Sequence, residues 1–201
     1  MALDATSFQI PGDSTQGGAI RPLPLGPAPF EGQSLNQFLQ AWLVGITGID
    51  PTLIRPRWQP EPANIPDAGQ YWAAFGITAR KNDAYVQIIH DPAADDGQGA
   101  DIMIRHETLE TLTSFYDLGV NGQADYYASL LKDGLQIRQN QELLDLNGFA
   151  LIEAGELIVA PVLFKERWQY RVDLAIKLRR EIRRLYPIRS VASLSQTITT
   201  N

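Results

Sequence analysis

The chain contains only two histidines, and each lies beside a carboxylate. His106 lies in Arg105-His106-Glu107-Thr108-Leu109-Glu110, which begins like the His-Glu-x-x-His of a zinc peptidase. That motif needs a second histidine four residues on, so that two imidazoles on one helix face reach one ion. Glu110 holds the place instead, and the segment alternates like a strand. His90 ends another strand-like run beside Asp91. Asp91, Asp95, Asp96 and Asp101 could gather a cation through carboxylate oxygens, although a solvated acidic loop is the simpler reading. Ser129-Leu130-Leu131-Lys132 has the Ser-x-x-Lys spacing of penicillin-binding enzymes without their Ser-Asp-Asn and Lys-Thr-Gly partners, and its leucines read as helix core. Gly97-Gln98-Gly99 lacks the third glycine and the strand-to-helix setting of a dinucleotide loop; it reads as a turn. With no cysteine, the chain has no thiolate nucleophile, disulfide or cysteine-based metal site. No two carboxylates are spaced to divide acid and base roles. No catalytic, cofactor-binding or metal-ligating residue is therefore assigned.

The elements around these residues read as an α+β fold: a mostly antiparallel twisted sheet packed against two or three helices, with an extended proline-rich N-terminal arm. Residues 1–30 form the arm, because Pro11, Pro22, Pro24, Pro27 and Pro29 fix φ and remove donors. Residues 31–190 form a single domain, and 191–201 a flexible tail. Leu35, Phe38, Leu39, Trp42, Leu43 and Ile46 recur at helical spacing behind Ser34 and Gln37, a capping-box pattern, and the helix ends near Gly45–Gly48. A second proline-rich passage, Pro51 to Pro66, is long for an internal loop. Trp72–Thr78 and Ala84–His90 read as neighbouring strands joined near Lys81-Asn82-Asp83, and Ile102–Phe115 as one long strand. Ala124, Tyr127, Ala128, Leu131 and Leu135 form a helical stripe, with a second short helix over Gln139–Leu146. Phe149–Glu153 and Leu157–Phe164 read as a hairpin turning at Ala154-Gly155.

The last strand carries the strongest pattern. Trp168, Tyr170, Val172, Leu174, Ile176 and Leu178 share one face, and Arg171, Asp173, Lys177 and Arg179 the other. Beyond Leu178 the spacing also fits a helix; a projecting strand is favoured. Trp42, Trp72 and Trp168 read as core. Trp58, between Arg57 and Gln59, is an interface candidate, since tryptophan and arginine are enriched at hot spots.

The net charge of −6 hides an asymmetry. Residues 165–189 hold nine basic residues against three acids, a local +6, while the preceding 164 residues hold eight against 20. Such polarity suits docking between charged protein surfaces. The acidic total and the lack of helix-turn-helix or zinc-finger spacing weigh against sequence-specific DNA binding. No apolar run approaches the roughly 20 residues that cross a bilayer, and Met1–Ile10 lacks the pattern of a signal peptide, so a cytoplasmic setting is expected.

Several short segments occur together in a recognisable order. They are Arg55-Pro56-Arg57-Trp58-Gln59-Pro60, Trp72-Ala73-Ala74-Phe75-Gly76-Ile77, Arg105-His106-Glu107-Thr108-Leu109-Glu110 with Ser114-Phe115-Tyr116, Asp133-Gly134-Leu135-Gln136-Ile137 with Gln139-Asn140, and Glu166-Arg167-Trp168 followed by Leu178-Arg179-Arg180-Glu181 and Tyr186-Pro187-Ile188. Over residues 50–190 this resembles the neck or tail-terminator proteins of long-tailed bacteriophages. The resemblance implies a non-enzymatic virion protein, assembled in the host cytoplasm. It would form a homohexameric ring that caps the tail tube, ends its polymerisation and joins it to the head-to-tail connector, or stopper. Implied partners are other copies of the chain, the tail tube protein, the connector and the tail sheath, with DNA passing through unbound and no membrane. Arg57, Trp58, Arg179, Arg180, Arg183 and Arg184 are the interface candidates. Two other readings remain: a metal-dependent enzyme using Asp91, Asp95, Asp96 and Asp101, and a nucleic-acid module using the basic ribbon.

Overall fold

A computed structural model of the chain describes residues 14–15, 19–23, 31–58, 70–117, 122–164 and 167–190. Most of the expected arm, the second half of the Pro51–Pro66 passage and the tail over 191–201 lie outside them. The elements in chain order are α1 (Gln33–Thr47), a 3-10 turn (Pro51–Leu53), β1 (Ile54–Pro56), β2 (Trp72–Asp91), the one-turn α2 (Ala94–Gly97), β3 (Ala100–Asp117), α3 (Gln123–Gly134), α4 (Arg138–Leu146), β4 (Phe149–Val159), β5 (Val162–Phe164) and β6 (Arg167–Tyr186). The sheet order is β1-β2-β3-β6-β4, with β5 also paired to β6. It is mixed: β1 runs parallel to β2, and β4 and β5 run antiparallel to β6. The α+β expectation holds.

Two compact units divide the chain. One comprises Met1–Pro29, Ala84–Arg105 and Ile182–Asn201, the other Phe30–Asp83 and His106–Glu181. The second unit holds the hydrophobic core. Leu35, Leu39, Trp42 and Leu43 bury the inner stripe of α1, Ala124, Ala128 and Leu131 that of α3, and Val172, Leu174, Ile176 and Leu178 alternate inward along β6. Each fully buried leucine or isoleucine contributes about 1.5–3 kcal/mol, so the helical and strand periods read from the sequence are the periods that build the core. Gly134 lets α3 approach α1, because a Cβ there would overlap the Ile46 side chain. Trp42 Nε1 donates to the Asn140 carbonyl at 3.1 Å, tying α1 to α4. Tyr127 stacks on Tyr71 at 4.9 Å and donates to its hydroxyl at 3.2 Å. That bond, with burial, pushes the Tyr127 phenol up to about 12.

α1 stops where glycine allows it. Gly48 adopts φ 69° and its N–H donates to the Val44 carbonyl at 2.8 Å, a left-handed C-cap. The expected capping box does not form. Gly32 is the N-cap, and Ser34, already inside the helix, turns its hydroxyl back to donate to the Glu31 carbonyl at 2.9 Å and accept the Glu31 N–H at 3.1 Å.

Three other expectations are corrected. Lys81-Asn82-Asp83 is no turn: β2 runs unbroken from Trp72 to Asp91. Its polar residues serve as rungs to neighbouring strands, Lys81 to Glu110 at 2.5 Å and Asp83 to Arg179 at 2.6 Å. Ala154-Gly155 is likewise no hairpin turn. β4 continues through it, slipping register against β6 between Leu151 and Glu153 and between Ala154 and Leu157. Gly155 marks the irregularity, since a Cβ there would lie 3.1 Å from the Ala175 carbonyl oxygen. Finally, Trp168 is 68% exposed rather than core.

Candidate functional site

β6 carries most of the candidate cations, and strand parity sorts them. Arg180 falls on the same face as Leu178 and Ile182 and is only 3% exposed. Its guanidinium meets the buried Glu107 carboxylate at 2.6 and 2.7 Å and lies 5.7 Å from the centre of the Phe149 ring. Arg180 therefore works inside its own fold, buried against Glu107 and Phe149. On the opposite face Arg171 meets Asp173 at 3.1 Å, Lys177 meets Glu153 at 2.6 Å and Arg179 meets Asp83 at 2.6 Å. The Glu153 carboxylate holds the Lys177 ammonium above its ordinary pKa, as Lys81 holds Glu110 below its own. Arg183 is exposed and Arg184 half-buried. Much of the ribbon's charge is thus met within the chain by acids of its acidic portion, while Arg179 and Arg183 keep their heads at the surface.

Arg57 and Trp58 follow β1 directly and diverge. The Arg57 N–H extends the β1–β2 pairing by donating to the Phe75 carbonyl at 2.6 Å. Its guanidinium turns inward to the Ser114 hydroxyl, which donates to Asp173 Oδ1 at 2.5 Å, so Arg57, Ser114, Asp173 and Arg171 form one connected polar network. Trp58 points out, 70% exposed, with its indole N–H 3.4 Å from the Ile77 carbonyl. Gly76 makes this possible: a Cβ there would press on Arg57 Cβ at 3.0 Å and on the indole at 3.3 Å. The indole borders an open groove with Gly32, Asn36, Gln37 and Pro56.

Three of the four aspartates proposed as cation ligands have separate duties. Asp91 accepts the Ala93 N–H at 2.9 Å, Asp95 pairs with Arg189, and Asp101 accepts from His90. Among the described residues no cluster of three or more acidic, histidine or cysteine side chains could hold an ion.

One constellation escaped the sequence reading because its members are far apart along the chain. Asp101 Oδ1 lies 2.7 Å from His90 Nδ1, and Ser190 Oγ lies 3.0 Å from His90 Nε2. The connectivity is that of a serine hydrolase triad. Its surroundings differ from one. The Ser190 N–H is donated to the Gln98 carbonyl, and the Gly97 and Gly99 N–H groups to Ala93 and Ala94, so these donors are already committed and not held ready for an oxyanion. Gly99 packs against Ser190 so closely that a Cβ there would overlap the hydroxyl. The arrangement fastens Ser190 to the turn that follows β2.

The most unusual surface is apolar. From Ala84 to His90 every side chain of β2 is exposed, including Tyr85, at 88%, Val86, Ile88 and Ile89. Because successive residues face opposite ways, both faces of this stretch show apolar groups to solvent. A second patch gathers at β4, β5 and the start of β6, where Ile158, Val159, Leu163 and Trp168 are exposed and Leu163 is paired in register with Trp168. The run Tyr85-Val86-Gln87-Ile88-Ile89 carried the signal in its sequence: apolar residues at both parities, beyond what one buried face can use.

Exposed apolar patches beside a well-packed core mark surfaces for interaction. The sequence comparison sets them among the structural proteins of bacteriophage tails. Residues 33–201 match the family model of the phage neck terminator protein, and the chain belongs to that family. No curated protein matches the chain significantly. Its role is accordingly structural, a tail-terminating component of the virion neck.

Proposed function

We propose that the protein forms a closed ring, of six copies by the family resemblance, on the head-proximal end of the tail tube. The ring halts tube polymerisation and presents its other face to the head-to-tail connector, with the sheath as a further neighbour and DNA passing through without specific binding. The observation that carries this reading is the stretch Ala84–His90, which leaves apolar groups in water on both faces of one strand and so calls for a neighbouring subunit. A ring of identical copies needs contacts between two different patches that close by rotation, and the chain offers two such patches. Arg179, Arg183, Arg184 and Trp58 are the contacts proposed toward neighbouring subunits or toward the tube and connector, while Arg57 and Arg180 support them from within.

The test is charge reversal at the two exposed arginines of the candidate set, Arg179→Glu with Arg183→Glu. Arg179 pairs with Asp83 at the surface, and such pairs are worth about 0–1 kcal/mol, so the monomer keeps its fold. Virions grown with the variant are expected to accumulate unjoined heads and tails, counted by electron microscopy; a normal yield of joined particles would remove these arginines from the interface.

A further inference from the structure

The proposed ring requires one patch on each copy to meet a different patch on the next, and the sheet supplies both at its two margins. At one margin β1 covers β2 only as far as Phe75, and no described segment pairs with the outer edge of β2 over Ala84–Asp91. At the other, β4 is the last strand in the order β1-β2-β3-β6-β4, and no described segment pairs with its outer edge either. Unpaired edges are ordinarily blunted, because they invite pairing with another chain. β4 is blunted through its middle by the two register slips around Gly155, and becomes regular over Leu157–Val159, where the exposed Ile158 and Val159 sit. The apolar stretch of β2 has no such protection: it lacks proline and charge from Ala84 to Ile89.

Charge selects the pairing. Ahead of the apolar run in each margin strand lie exposed charges, Arg80 and Lys81 on β2 and Glu153 and Glu156 on β4, of which Lys81 and Glu153 are also paired within the chain with Glu110 and Lys177. Laid parallel, the two strands bring bases against acids and apolar residues against apolar residues. Laid antiparallel, they bring Arg80 and Lys81 against Ile158 and Val159, burying cations against hydrocarbon. Two copies of one margin fare worse, since β2 against β2 in parallel opposes like charges, as does β4 against β4.

From this we infer that the copies of this chain join margin to margin. The segment Ala84–Asp91 of one copy lies beside the β4–β5 margin of the next, parallel to β4, with Tyr85, Val86 and Ile88 packed against Ile158, Val159, Leu163 and Trp168 of the neighbour. The occupant of each apolar patch is a second copy of this chain, and the inference rests on the ring reading above.

The absence of native cysteines makes the contact directly readable. Single cysteines are placed at Tyr85, Val86 or Ile88 in one set of variants and at Ile158, Val159 or Leu163 in another, all exposed positions. Sets are mixed pairwise and treated with a short bismaleimide, alone and with tail tube protein present. Cross-links should form between members of different sets, and those from the cysteine at Val86 should be lost on adding Tyr85→Asp with Ile88→Asp, surface changes that leave the denaturation midpoint in place. Multimers of the expected mass that yield no cross-link between the sets, or only links within one set, would overturn the margin contact and leave the ring standing. A monomer under both conditions, with no cross-link, would overturn both.

Discussion

At the scale of single residues, the difference between Arg179 and Arg180 is one of parity. The alternation along β6 places every even position from Val172 to Ile182 on the core side, so Arg180 could have been recognised in the sequence as a buried cation. Its partner could not. Glu107 lies on another strand, 73 residues away, and only the pairing of β3 with β6 brings it within 2.6 Å. A buried ion pair gains little over a hydrophobic pair of equal volume, but removing one member leaves a charge stranded. Glu107→Ala is therefore expected to destabilise the protein by about 3–5 kcal/mol, whereas Glu107→Leu with Arg180→Met recovers most of that loss in denaturant unfolding. Equal destabilisation by the single and double variants would show that the pair contributes more than mutual neutralisation. Trp168 was misread for a different reason: it extends the apolar parity of β6 beyond the stretch the helices cover, and periodicity says which face a residue takes but not where the cover ends.

At the scale of elements, long regular patterns were legible and interruptions were not. The α1 stripe, the extent of β3 and the two helices after it all follow from spacing, whereas past Leu178, where spacing also fits a helix, the favoured strand is the one that forms. Lys81-Asn82-Asp83 and Ala154-Gly155 carry the composition of turns, yet long-range pairing overrides local propensity at both. In the first, Lys81 and Asp83 find partners on other strands, Glu110 and Arg179; in the second, glycine accommodates a bulge. The two glycines near the end of α1 separate local rules cleanly. Gly45 lies within the helix with open space where a Cβ would go, and Gly48 holds φ 69° at its C-cap. Gly45→Ala is expected to raise stability by about 0.5–1 kcal/mol, while Gly48→Ala lowers it by about 1–2 kcal/mol through the left-handed backbone. Thermal unfolding of the two variants should shift in opposite directions, and a shift of the same sign in both would contradict the assigned end of the helix.

For the whole molecule, charge asymmetry and apolar exposure have different consequences. The asymmetry seen in the sequence is largely consumed within the chain, as Asp83, Glu107, Glu153 and Asp95 meet Arg179, Arg180, Lys177 and Arg189. The apolar surface of the sheet margins is what composition cannot reveal, because apolar residues in a strand ordinarily signal burial. The family match covers the core elements from α1 onward, and the assembly surfaces proposed above lie within that matched region. The account depends on the chain being incomplete alone and completed by copies of itself. Its most direct test is the native mass of the full-length protein, measured by light scattering, alone and after mixing with tail tube protein. A discrete closed oligomer, of six copies on the resemblance drawn above, is expected in at least one of the two conditions; a monomer in both would contradict the account.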